Sequence, residues 1–188
     1  MRGLKKWIIR GLMILAAAVC LLAVVVAFQP ADYAVERTIT IQSGPGPVFV
    51  QVENLKAWDN WSPWTKLDPD ARVVFSGPAA GRGASMAWRG NAQVGEGTMA
   101  IIGWERDKLV ELEQEFIKPL PGKALIKVML APDGSGSNAT RVTMRLEGSN
   151  GFMGKAACLV MNMDQMIGSA FATGLANLKE FVEKNKGK

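Results

Sequence analysis

The sequence contains no histidine, two cysteines and a single tyrosine. Without histidine it lacks the commonest general base and metal ligand, and every Ser–His or Cys–His nucleophilic pair is excluded. Two cysteines cannot build a thiolate metal cage, and no Gly-x-x-x-x-Gly-Lys or dinucleotide fingerprint occurs. No metal and no cofactor is therefore expected. Cys20 lies inside an apolar run and Cys158 in the globular part, so no disulfide is expected either. The acid/base candidates that remain are Asp59, Glu96, Glu147 and Asp164. Asp164, if half buried with a raised pKa, is the weak catalytic candidate. An Asp164–Arg37 ion pair is the competing reading of the same residue.

What the chain has in abundance is apolar surface. It is 48% hydrophobic and 21% charged over 188 residues, enough for one domain with a substantial core. Gly11 to Phe28 carries no charge, and a run of about eighteen such residues reaches the length of a membrane span. Arg2, Lys5, Lys6 and Arg10 precede it, which orients the N-terminus to the cytoplasm and the remainder to the far side. A cleaved secretory signal is the competing reading. We expect a signal-anchor over residues 1–29 that contacts the membrane through 7–28, a linker at 30–33, a domain over 34–184 and a basic tail at 185–188. The expected location is the inner membrane, single-pass, with the N-terminus cytoplasmic and the domain periplasmic or extracytoplasmic. The net charge of +5 sits largely at the two ends of the chain. Between them acids and bases interleave without a stripe, so nucleic acid is not an expected partner.

After Pro30, Val35, Ile39 and Ile41 alternate with Glu36, Thr38 and Thr40 as in a half-buried strand, with Arg37 the odd charge on the inward phase. Pro45 and Pro47 then open a short helix carrying Val48, Val52 and Leu55. Next come Trp58, Trp61 and Trp64, among residues that favour turns. From Arg72 onward apolar and polar residues alternate in successive segments separated by turn signals, such as Ala84, Met86 and Trp88, or Val142, Met144 and Leu146. This predicts an antiparallel sheet with one wet face. Gln114 interrupts the apolar phase formed by Val110, Leu112 and Phe116. Residues 155–183 carry the stripe of one long helix, whose apolar face needs the inner face of the sheet.

This order of elements, with the words N-L-K-A-W-D-N-W-S-P-W, F-S-G-P-A-A-G-R-G-A, N-A-Q-V-G-E-G-T-M, G-F-M-G-K and L-V-M-N-M-D-Q-M, resembles the START-like (SRPBCC) helix-grip superfamily, in its bacterial polyketide cyclase/dehydrase-like branch. The resemblance implies an α+β fold: a curved antiparallel sheet of about six to seven strands wrapped around a long C-terminal helix. It also implies an apolar cavity between sheet and helix that takes a small hydrophobic or lipid-like ligand. Trp58, Trp61 and Trp64 either line that cavity or plug the sheet as core. Met86, Trp88, Gln114, Phe116, Met144, Met163, Ile167 and Phe171 complete the expected lining, within a region also rich in methionine at Met129, Met153, Met161 and Met166. Three readings follow: a membrane-anchored binder of an apolar ligand, favoured over the others; a cofactor-free cyclase or dehydratase-like enzyme; and an interaction module whose tryptophan loop meets a protein or the bilayer.

Overall fold

The structure, a computed structural model, describes residues 2–135, 138–159 and 162–186. Side chains of residues 2–5 and of Met163 lie outside that description, as do Val160 and Met161 altogether.

The chain opens with α1 (Arg2–Phe28). Its segment Lys6–Phe28 is a candidate membrane span by length and composition. Strand β1 (Asp32–Ile41) follows after three residues, two positions ahead of the expected boundary. Helix α2 (Pro45–Glu53) starts at a proline, as the missing N–H allows, and buries Val48, Phe49 and Val52. It stops at Asn54, whose side chain accepts from Lys56 N (3.0 Å) to begin a 3-10 helix over Leu55–Asn60. Six further strands complete the sheet: β2 (Arg72–Ser76), β3 (Ser85–Arg89), β4 (Glu96–Glu105), β5 (Leu109–Lys118), β6 (Gly122–Pro132) and β7 (Thr140–Ser149). All neighbours are antiparallel, in the order β1-β7-β6-β5-β4-β3-β2. The sheet is a meander closed by β1 on β7, with β1 and β2 as its edges.

Two helices follow, α3 (Phe152–Cys158) and α4 (Met163–Lys184). The single long helix expected from the apolar stripe is thus broken. The physical cause is Asn162, whose side chain accepts from Gln165 N (2.9 Å) and caps a new helix with Asp164 in its first turn. From Gly168 on, the stripe behaves as expected: Phe171, Leu175, Leu178 and Val182 are buried.

The register fixes which side chains share the concave face. One row across the sheet reads Tyr33, Gly148, Ala124, Gln114, Met99, Met86 and Phe75. The parallel row toward the strand ends reads Gly122, Phe116, Gly97, Trp88 and Val73. Glycine is required at two of these places by close approach: a Cβ at Gly97 would meet the Trp88 ring, and one at Gly148 the Tyr33 ring. Small residues in the sheet thus let two aromatic rings lie flat across neighbouring strands.

Candidate functional site at the open end of the grip

The tryptophan loop is built first by the needs of α2. A helix leaves its last four carbonyls without an intrahelical partner. Trp61 Nε1 donates to Gln51 O (3.1 Å), Trp58 Nε1 to Val52 O (3.0 Å), and Gly81 N to Glu53 O (3.1 Å). Two indoles therefore cap the helix end while their rings, 4.8 Å apart, fill the core at 1% and 4% exposure. Of the two roles open to these residues from sequence, Trp58 and Trp61 take the core plug. Gly174 lets α4 come down on Trp61 and Pro63, and Asn177 Nδ2 donates to Trp61 O (3.0 Å).

Trp64 behaves differently. Half buried, it stands edge-on to Phe171 with ring centroids 6.2 Å apart. Across the concave face Phe116 stands edge-on to Trp88 (6.0 Å), whose indole N–H donates to Val94 O (3.2 Å). Met86, Gln114, Phe116 and Ile167 are likewise only partly covered. Toward the other end of the same strands, Ile101, Val110, Leu112, Val128, Val142 and Met144 are buried almost completely. The expected lining residues thus divide. Trp64, Met86, Gln114, Phe116 and Ile167 are only partly covered, with Trp88 at 9%; Trp58, Trp61, Met144 and Phe171 belong to the packed core. The Met163 side chain is outside the described residues. A cleft open to solvent lies at the β2 edge of the sheet, between Leu55, Lys56, Phe75, Ala84 and the turn at Gly77–Ala79.

The acid/base candidates are mostly engaged. Arg37 grips Asp164 with two nitrogens (3.0 and 2.9 Å), and a third bond reaches Asp164 O (3.2 Å). The Asp164 side chain is 63% exposed, and the Arg37 guanidinium holds its carboxyl below the usual carboxylate range. Of the two readings of Asp164, the structure holds the ion pair with Arg37: the bidentate cation stabilises the charged form, and burial opposes it only weakly. Arg89, then Lys118, similarly lowers Glu96, and Arg145 with Lys127 lowers Glu147.

Tyr33, absent from the lining expected from sequence, also faces the open end. It lies on the inward phase of β1 at the open end, half buried, and burial pushes its phenol upward in pKa. The available signal was its position: residues 33, 35, 37, 39 and 41 share one face of the strand. The open end thus offers an apolar floor, a few aromatic edges, and two neutral polar groups, Gln114 and Tyr33.

A curved antiparallel sheet closed over a long C-terminal helix, with short helical segments between the first two strands, defines a helix-grip domain. The chain has the helix-grip fold. Among solved structures it is similar to norcoclaurine synthase from Thalictrum flavum, in complex with dopamine and hydroxybenzaldehyde (TM-score 0.59, 11% identity, 85% of this chain and 91% of that one). It is also similar to Ara h 8.0201 (TM-score 0.55, 13% identity, 82% and 99%). A third is the Aha1 dimer from Colwellia psychrerythraea (TM-score 0.52, 21% identity, 82% and 99%). No family model and no curated protein matches the sequence.

Proposed function

We propose that the chain is a membrane-anchored helix-grip domain that binds a small hydrophobic or lipid-like molecule at the open end of its grip. The observation that carries this reading is the gradient along the concave face: side chains of one phase pass from complete burial at Val110 and Leu112 to partial exposure at Gln114 and Phe116. Aromatic and methionine side chains left accessible on a concave surface, with few convergent polar groups, are what an apolar ligand site requires. Trp64, Phe116, Met86 and Ile167 would contact the ligand, and Gln114 and Tyr33 would orient a carbonyl or hydroxyl on it. One structural neighbour holds two small aromatic molecules, which agrees with a ligand of that size class. Anchoring by α1, with the domain on the periplasmic side, would keep the site where apolar molecules concentrate.

Binding is favoured over catalysis by the state of Asp164. A carboxylate held by two guanidinium nitrogens and facing solvent is a weak base and a structural clamp. The test is organic extraction of the full chain purified in mild detergent, followed by mass spectrometry. A stoichiometric apolar molecule that is lost in Phe116→Ala supports the reading. Extracts indistinguishable from those of detergent alone, together with no saturable uptake of anilinonaphthalene sulfonate, would sink it.

A further inference from the structure

The last turn of α1 does not hang free of the domain. Val26 is buried at 2%, α1 packs against α3, and Lys155 Nζ donates to Ala27 O (3.4 Å). Only Gln29, Pro30 and Ala31 separate Phe28 from β1, and they are tied down as well: Gln29 N donates to Val26 O (3.2 Å) and Asn150 N to Ala31 O (2.8 Å). Four Cα steps reach at most about 14 Å. Whatever depth α1 occupies, α3 and the start of β1 must stand within that reach of its end.

At this place the surface is apolar. Phe28 is 86% exposed, Phe152 54%, Met153 67%, Leu159 40% and Met166 49%. Of the carboxylates nearby, Asp164 is paired with Arg37, and Asp32 stands exposed at the start of β1. Lys155 places an ammonium at the end of the apolar helix, the arrangement by which such side chains settle at a membrane interface. Other exposed apolar side chains, among them Val73 and Val74 on β2, Ile102 and Trp104 on β4 and Ile117 on β5, lie on strands with no bond to α1 among the described residues. Apolar exposure and attachment to the span coincide at α3 alone.

We infer that α3 and the first turn of α4 form a membrane-contact face, covered by the bilayer that holds α1, so that the open end of the grip is loaded from the lipid side. The inference rests on the anchoring part of the function proposed above. α3 is tied to the strand that borders the open end: Asn150 Nδ2 donates to Cys158 Sγ (3.4 Å), and Asn150 directly follows β7, whose Gly148 lies against the Tyr33 ring. Phe152 and Met153 would lie among the acyl chains near the headgroups, in the manner of an interfacial helix. The tryptophan loop, buried at Trp58 and Trp61, is not the lipid-contacting element.

The test uses the full chain with both cysteines replaced by serine, in nanodiscs of phosphatidylethanolamine and phosphatidylglycerol. Bimane is attached at Met153→Cys, Met166→Cys, Leu15→Cys and Arg106→Cys, and quenching by nitroxide lipids is measured. Leu15 reports the anchor and Arg106, in the turn between β4 and β5, the far end of the domain. The expected result is quenching at 153 and 166 about threefold above that at 106, as for an interfacial helix. If 15 is quenched while 153 and 166 match 106, the contact face is refuted and the anchor stands. If 15 is not quenched, the anchor fails and the inference with it. Shielding at 153 that persists in detergent and rises with protein concentration would assign the face to a second copy and refute the lipid assignment. Ligand occupancy does not enter the readout.

Discussion

The two ends of the grip differ although they are made from the same strands and the same helix. At the sealed end α4 is fastened by Lys179 Nζ on Thr40 O (3.0 Å), by Glu183 Oε1 accepting from Gln42 N (2.7 Å), and by Leu175, Leu178 and Val182, which are buried in the common core. At the open end the Arg37–Asp164 clamp joins α4 to β1, and Ile167 is only partly covered. Gly168 permits this clamp, since a Cβ there would collide with the guanidinium. Burial and fastening contacts are concentrated at one end, as the proposed binding at the other requires. Binding regions are drawn from the less stable part of a fold for this reason.

The largest test of the contrast is Trp61→Ala. Removing a ring that is 1% exposed should cost about 4 kcal/mol, read as a lowered urea midpoint. A cost below that of any open-end truncation would abolish the distinction. Trp58→Phe keeps most of the volume but orphans the buried Val52 carbonyl, for about 2 kcal/mol by the same measurement. Phe116→Ala should cost only about 1 kcal/mol of stability, because the ring is already partly in water. It should nevertheless weaken uptake of an apolar probe about tenfold.

The smallest effect is the pH dependence of the clamp. Asp164 has a lowered folded-state pKa. Its contribution is therefore present above the unfolded-state value and is lost as pH falls through the folded-state value. The wild-type stability advantage over Asp164→Asn should vanish across that acidic window and stay flat above it. An advantage that grows on acidification would mean the pairing is absent.

Period-two alternation made the sheet legible because each strand has one wet face, and the register confirms the inward residues Met86, Trp88, Val110, Leu112, Val142 and Met144. The start of α2 was legible through its prolines. The break between α3 and α4 was not, because the apolar stripe runs on past Asn162 while a single side-chain cap decides where the helix restarts. The division of the tryptophans was hidden for a related reason. Trp58 and Trp64 look alike in sequence, and only the unpaired carbonyls of α2 determine which indoles are drawn inward. Asp164 and Arg37 were visible as a pair, but the pair's exposure, which sets the direction of the pKa shift, depends on where α4 begins.

The most direct test of the open-end site is fluorine NMR of the full chain labelled with fluorotryptophan, titrated with anilinonaphthalene sulfonate and then with a long-chain fatty acid. The account predicts that the Trp64 and Trp88 resonances shift saturably while those of Trp58 and Trp61 stay fixed. Saturable shifts of Trp58 and Trp61 with Trp64 unmoved would contradict it and place the guest in the packed end.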